Sequence, residues 1–240
     1  MSQPTGSSHD VTATAYRGDT AYDYDERRFV TPQGRLFSDL EFRRLRCATK
    51  HLVPPSRVLE IGCGTARFSQ ALAREGFDVV ATDPSPDMIA LAGRKCAGLD
   101  NITFKQADGA NLSFADETFD FVFAIRVTNQ TESQEYALTM VREMIRVARR
   151  GGRILVEFVN RRRPFAKRRS NVRLSFAQIE RAARDAGCDV LNEAGVLVFS
   201  QSVLNRVPDG LVPLWGPVER LAAIGLWRWA SRGYTLLRKG

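Results

Sequence analysis

Apolar positions along this chain fall into two alternating patterns. Short continuous runs bounded by turn residues predict buried strands: Val58–Ile61 after Pro54-Pro55, Asp78–Thr82, Ile102–Gln106, Phe119–Ile125, Arg153–Val159, Val190–Phe199 and Tyr234–Leu237. Between them, apolar residues recur every three or four positions, as on one face of a helix. These stretches are Leu36–Leu52, the segment through Phe68, Leu72 and Ala73 to Glu75-Gly76, Pro86 to about Cys96, and Glu135–Val147. Local signals agree. Ser85 suits an N-cap and Pro86 a first helical residue. Gly151-Gly152 is expected to stop the Glu135–Val147 helix. Ser175-x-x-Gln178 is a capping box opening a helix to Ala186, with Gly187 as its stop. No internal repeat is evident. Strands alternating with helices at this spacing predict an α/β fold with a doubly wound, mostly parallel sheet.

At 240 residues the chain suits one sizeable domain. Residues 1–35 read as a polar tail and candidate lid, carrying Tyr16, Tyr22 and Tyr24. Residues 36–240 read as the domain, with a basic loop at 160–174 and a helical insertion at 201–232 before the last strand. The 44% hydrophobic content is ordinary for a globular protein. The four cysteines, Cys47, Cys63, Cys96 and Cys188, form no C-x-x-C pair. Reduced thiols, a cytoplasmic setting and no structural metal are therefore expected. Met1–Asp10 lacks the apolar core of a signal peptide, and no uncharged run is long enough to span a bilayer. A net charge of +8 leaves two readings open: an anionic partner, or an arginine-rich surface that keeps the protein soluble.

The first predicted strand runs into glycines: Glu60-x-Gly62-x-Gly64-x-Ala66. Strand, glycine turn and helix form half of a nucleotide-binding βαβ unit. The dinucleotide fingerprint needs a third glycine at position 67, where Arg67 stands. The pattern instead resembles motif I of the class I S-adenosylmethionine-dependent methyltransferases, with Ala66 for the last glycine, a change expected to cost little. Thr82-Asp83-x-Ser85, Phe119-Asp120 and Arg146-Val147-x-x-x-Gly151-Gly152 follow in that family's order. The resemblance covers roughly Pro55–Val159, and the tail fits by element order. It implies a Rossmann-like seven-stranded sheet whose last strand lies antiparallel between the fifth and sixth.

Ligands of open α/β sheets sit beyond the carboxyl ends of the strands. Glu60, Asp83 and Asp108 end or follow the first three strands, so three carboxylates are expected on one rim. Asp83 lies about 20 residues after the turn, where an acid reaches a ribose diol. The resemblance implies S-adenosylmethionine as cofactor, with Asp83 on the ribose, Asp108 and Gly109 at the adenine, and Met88 against the ring. Glu60 would orient the turn and balance the cofactor's positive end. Gly62, Cys63, Gly64 and Ile125 would lie along its methionine part. Blander roles stay open: a turn residue before a helix for Asp83, an Asp-Gly turn for Asp108, plain core for Met88. Cys63 reads as merely small, since a reactive thiol would need a histidine partner.

Methyl transfer from a sulfonium is an in-line displacement that needs alignment and exclusion of water. A base is required only if the acceptor must lose a proton first. His9 lies in the tail and His51 before the first strand, on the wrong sheet edge, so no histidine base is expected. The catalytic residue stays unassigned, with Arg126, Asn129, Glu157 and Tyr24 as candidates, and Gln130, Asn160 and Tyr22 nearby. Arg126 is read as meeting an anionic substrate group or as pairing with Glu60 or Asp83. Ile125–Gln130 lacks the Asn/Asp-Pro-Pro-Tyr signature of amino-group methylation, which argues against nucleic acid as substrate without excluding it as a partner.

Arg161–Arg173 is the densest basic stretch, with only Phe165 interleaved. It is either a solvated loop or a phosphate-binding one, and not a stacking platform. Leu211–Arg232 carries Trp215, Trp227 and Trp229 among leucines and basic residues. It is read as a lid helix over the acceptor pocket, or as a peripheral membrane contact at the inner face. Either reading points to a small, apolar, or lipid- or sugar-linked acceptor. Two rival functions stand beside methyl transfer: an NAD(P)-binding oxidoreductase, and a non-catalytic cofactor-binding scaffold acting through the basic loop.

Overall fold

The structure, a computed structural model, describes residues 29–163 and 172–240. Tyr16, Tyr22, Tyr24 and most of the basic loop lie outside the described residues.

The chain opens with α1 (Pro32–Thr49), then β1 (Arg57–Ile61), α2 (Arg67–Arg74), β2 (Asp78–Asp83), α3 (Pro86–Lys95), β3 (Ile102–Gln106) and β4 (Phe119–Ala124). After them come α4 (Gln134–Val147), β5 (Ala148–Val159), α5 (Phe176–Asp185), β6 (Cys188–Val196), α6 (Ser200–Leu204), α7 (Val212–Leu226) and β7 (Arg232–Lys239). The strands form one sheet in the order β3-β2-β1-β4-β5-β7-β6. All pairs from β3 to β5 are parallel, and β7 runs antiparallel to both β5 and β6. This is the α/β, Rossmann-like architecture expected. Chain order reverses between β1 and β4, which opens a crevice at their carboxyl ends.

Both sheet faces are covered. Val58, Phe68, Leu72, Phe121 and Phe123 pack on one side with Phe37 and Leu45 of α1. Leu59, Val122, Met140, Met144 and Ile179 pack on the other. β4 is central and covered on both faces, so its residues alternate between these two cores. The rings of Phe121 and Phe123 stack with centroids 5.5 Å apart.

Several boundaries move. The first helix begins at Pro32 rather than Leu36, because the Thr31 hydroxyl caps it, accepting from Gly34 N–H at 3.1 Å. A domain boundary at 35/36 would therefore cut a helix. Gly151-Gly152 does not stop α4. The helix ends at Val147, and the glycines lie inside β5. A Cβ on Gly152 would sit 2.8 Å from the Arg149 carbonyl, so these glycines serve a local kink in the strand. β6 starts and ends earlier than Val190–Phe199, since Leu197 turns to φ +59 and breaks the extended run. β7 exceeds Tyr234–Leu237 at both ends because it pairs on both sides. α5 has the capping box as read, and Gly187 takes φ +70.

Candidate functional site

A cavity open to solvent lies at the crevice. Its floor is the turn after β1. Gly62 has φ +68, and a Cβ there would come within 2.4 Å of Val127 Cγ2 from the loop after β4. Glycine is therefore required twice over, by backbone angle and by space. Gly64 N–H points across to β2 and donates to Asp83 Oδ2 at 2.9 Å, while Ser85 N–H donates to Oδ1 at 2.9 Å. Each carboxylate oxygen keeps a lone pair beyond that bond. Burial raises the Asp83 carboxyl above its ordinary range, and these two amides oppose the rise.

Ala66 is less cheap than expected. It is fully buried at φ +60, directly before α2. An L side chain in this conformation costs on the order of 1 kcal/mol. The family's last glycine answers a backbone angle as well as a size limit.

Glu60 sits beneath the turn, almost fully buried, and accepts from Ser69 N–H at 3.0 Å and from the Ser69 hydroxyl. Burial pushes its carboxyl up to about 8 against the Ser69 bonds and the Arg67 charge, which pull it down. Cys63 is buried with its thiol held protonated, chiefly by desolvation, so it supplies no nucleophile.

Each predicted cofactor residue but one lines this cavity: Glu60, Gly62, Cys63, Gly64, Asp83, Met88, Gly109 and Ile125. Asp108 stands one layer back. Its Oδ1 accepts from Ala110 N–H at 2.9 Å and from the Tyr136 hydroxyl, and it is the Tyr136 ring that reaches the cavity. Tyr136 was not anticipated. Its place three residues after the N-cap Ser133 is the one local hint, because it sets the ring on the first turn of α4.

The acceptor-side candidates divide. Arg126 and Gln130 line the cavity. Asn129, Glu157 and Asn160 do not. Asn160 holds the Arg228 and Ala230 carbonyls. Asn129 and Glu157 both take bonds from Arg232, the Glu157 pair at 2.9 Å, and Glu157 also accepts from Arg126 N–H at 2.7 Å. These are scaffold contacts, formed because β7 inserts beside β5. Arg126 does not pair with Glu60 or Asp83. Its nearest acid is Glu41 of α1, at 3.7 Å, and Glu41 also binds Arg67 at 2.7 Å. Sequence reading passed over Glu41. The available signal was an acid on the apolar face of α1, one turn after Phe37 and one before Leu45.

No residue of the insertion after β6 lines the cavity among those described, so α7 is not its lid. α7 packs on α1 and β6 instead. Glu219 anchors it by accepting from Val198 N–H at 2.8 Å and from Trp215 Nε1–H at 3.3 Å. The described residues contain no cluster of acids, histidines and cysteines suited to a metal ion.

The cavity can take a nucleoside-sized molecule with its diol at Asp83 and apolar parts against Met88, Ile125 and Met140. A family model described as "Methyltransferase domain" matches residues 58–152. The demethylmenaquinone methyltransferase of Clavibacter sepedonicus is 36% identical over 115 residues, 46% of this chain and 45% of that protein. The ubiquinone biosynthesis O-methyltransferase of Rhizobium johnstonii is 36% identical over 107 residues, 44% of this chain and 42% of that protein. The chain thus spans about half the length of the curated relatives it matches.

Among solved structures, magnesium protoporphyrin IX methyltransferase from Synechocystis, with bound SAM, superposes at TM-score 0.67 over the whole of both chains, with 18% identity. The N-methyltransferase NodS of Bradyrhizobium japonicum, in complex with S-adenosyl-L-homocysteine, gives 0.63 over 92% of this chain and 99% of that one, with 17% identity. A [4+2]-cyclase shares the fold at 0.60 over 82% and 80%, with 22% identity.

Proposed function

We propose that this chain is a class I S-adenosylmethionine-dependent methyltransferase and moves a methyl group from S-adenosylmethionine to a small apolar acceptor, a reading supported by the methyltransferase-domain match over residues 58–152 and by the shared fold. The observation that carries the reading is the Gly62–Gly64 turn clamped to Asp83, facing a cavity that also holds Met88 and Ile125. The residues fit the cofactor. A small-residue turn admits its amino-acid end, Asp83 has lone pairs for the ribose hydroxyls, and Met88 offers an apolar surface to the base. The cofactor supplies a methyl already activated on a sulfonium. What remains for the protein is positioning and dryness. Phe29, Phe68, Val127 and Met140 add apolar surface beside the charged Arg67, Arg126 and Glu132, which suits an aromatic or quinone-like acceptor. The two curated relatives above are named for menaquinone and ubiquinone pathways.

A thermal-shift titration tests the cofactor assignment. S-adenosylhomocysteine should raise the melting temperature and NAD should not; the reverse would make the protein an oxidoreductase. Because a cyclase shares this fold, transfer of labelled methyl from cofactor to lipid-soluble or polar extracts is the further requirement. Binding without transfer would leave a cofactor-binding scaffold.

A second reading concerns where the acceptor is met. Leu214, Leu221 and Ile224 of α7 are exposed by 66%, 70% and 77%, with Leu211 beside them. Such an exposed stripe on the outer face of the helix, flanked by Arg220 and Arg228 in a chain of net charge +8, suits the surface of an anionic bilayer. No helix of the described residues is long and apolar enough to cross a membrane. We therefore propose peripheral contact, giving access to a lipid-linked acceptor from the cytoplasmic side. Flotation with vesicles containing phosphatidylglycerol should carry the protein upward. Leu221→Asp with Ile224→Asp should abolish this; equal flotation of both proteins would discard it.

A further inference from the structure

α7 packs on α1 away from the cofactor cavity. The two helices meet at Gly216, where a Cβ would stand 3.3 Å from Leu36 Cδ1. The missing side chain lets them close on each other, and a second groove opens beside the contact. Leu36 and Leu40 of α1, with Pro213 and Pro217 of α7, give it an apolar lining. α1 also contributes Arg35 and Arg43, and α7 contributes Arg220. Asp39 and Asp209 line the groove as well, so three guanidiniums face two carboxylates and one positive charge is left over. Both helices begin here, at Pro32 and Val212, so the positive ends of two helix dipoles add to that surplus.

These charges are not paired with one another. Among the described residues no ion pair joins Asp39 or Asp209 to the three arginines, and Asp209 Oδ1 instead accepts from Gln33 Nε2–H at 2.8 Å. Arg35 donates to the Val30 carbonyl, and Arg220 Nε–H to the Gly216 carbonyl at 3.3 Å. Arg43 makes no hydrogen bond or ion pair among the described residues. The groove also borders the exposed stripe of α7. Leu214 directly follows Pro213 and Leu221 directly follows Arg220, so each points about 100° round the helix from a groove residue. With that stripe in the acyl boundary of a bilayer, the groove lies to its side, at the depth of the headgroups.

We propose that this groove binds the phosphodiester of an anionic phospholipid. The proposal rests on the membrane-contact reading of α7 and names the lipid group selected there. A phosphodiester carries one negative charge, the size of the surplus. Its two unesterified oxygens match the paired N–H groups of a guanidinium. The glycerol and the first chain methylenes have the leucines and prolines to lie against. A zwitterionic headgroup would bring its own cation beside three arginines and is disfavoured. Attraction by diffuse surface charge needs no such groove, since a basic residue anywhere on the facing surface serves equally.

Calorimetry with dihexanoyl phosphatidylglycerol, below its micelle concentration, tests the groove without a bilayer. The lipid should bind the full chain saturably, one to one. Arg43→Gln with Arg220→Gln should weaken it about 10-fold. Arg142→Gln with Arg181→Gln removes the same charge from exposed positions of α4 and α5, on the other face of the sheet, and should leave it unchanged. Asp39→Asn should tighten it about threefold, a direction that a damaged fold cannot produce. Equal weakening by the two double variants would mean that net charge alone is at work, and would overturn the proposal. So would the absence of saturable binding. So would sn-glycerol 3-phosphate binding as tightly as the lipid, which would make this a site for a soluble phosphate. Flotation with phosphatidylglycerol vesicles separates the two readings. Flotation of the wild type without short-chain binding keeps the membrane contact and discards the groove; short-chain binding without flotation does the reverse.

Discussion

The two walls of the cavity are built by opposite means. On the β2 side, Asp83 takes its bonds from Gly64 and Ser85, 19 and 2 residues away. Both carboxylate oxygens are met there by backbone amides. On the β4 side, Arg232 reaches Glu157 across 75 residues and Asn129 across 103, and Arg126 pairs with Glu41 at 3.7 Å without a hydrogen bond to Nη1 or Nη2 among the described residues. The first wall is a motif and the second is a meeting point of α1, β4, β5 and β7. A wall made of local turns can be complete before any ligand arrives. A wall made of long charged side chains has to balance its charges among themselves, here through the Glu41 pairs with Arg67 and Arg126 and the Glu157 pair with Arg232.

The sharpest way to break the comparison is to unpair the β4 side. Glu157 is fully buried against Arg232. Burial alone would lower the Arg232 guanidinium, and Glu157 reverses this and holds it above its ordinary value. Glu157→Gln removes the charge and leaves that arginine buried beside a neutral amide. The expected loss is about 3 kcal/mol or more in urea unfolding. A loss under about 1 kcal/mol would mean that water reaches Arg232 and the wall is not sealed.

Glu60 lies between the walls, and its effect is read in pH. Its carboxyl stands at about 8 in the folded protein, against an ordinary value of 4.5. Between those values the folded chain holds a proton that the unfolded chain has released. Stability therefore falls as pH rises across this window, with a slope of up to about 1.4 kcal/mol per pH unit. Glu60→Gln keeps an acceptor for the Ser69 N–H and hydroxyl and has nothing to ionise, so its profile should be flatter by that slope. Parallel profiles of the two proteins from pH 5 to 8 would show that Glu60 is charged in the fold.

The same contrast decides what could be read from the sequence. Glu60, Gly62, Gly64, Asp83 and Met88 were legible because each sits at a fixed distance from a strand end, and strand ends follow from apolar runs. The capping box of α5 was legible for the same local reason. Glu41 was not. Its importance depends on α1 crossing to the β4 side, a fact of packing. Glu157 and Asn129 were placed on the right rim and given the wrong task, because the insertion of β7 beside β5 brings Arg232 to them. Tyr136 lines the cavity where Asp108 was expected, because the first turn of α4 brings it there with its hydroxyl on the Asp108 carboxylate.

The smallest expected effect falls on the β2 wall. Asp83→Ala removes the acceptor for Gly64 and Ser85 N–H as well as the partner offered to a ribose. Both amides lie close to the cavity, where water can replace the lost bonds, so the stability cost should stay near 1 kcal/mol. Affinity for S-adenosylhomocysteine should drop about 10-fold or more, equivalent to about 1.4 kcal/mol, through loss of charge-assisted bonds to the diol. Asp83→Asn is the informative companion. It retains one acceptor for an amide and loses the second, so it should recover stability before it recovers affinity. Full recovery of both would reduce Asp83 to a turn residue before α3. Unchanged affinity in the alanine variant would take it out of the site, and the β2 wall would then be scaffold alone.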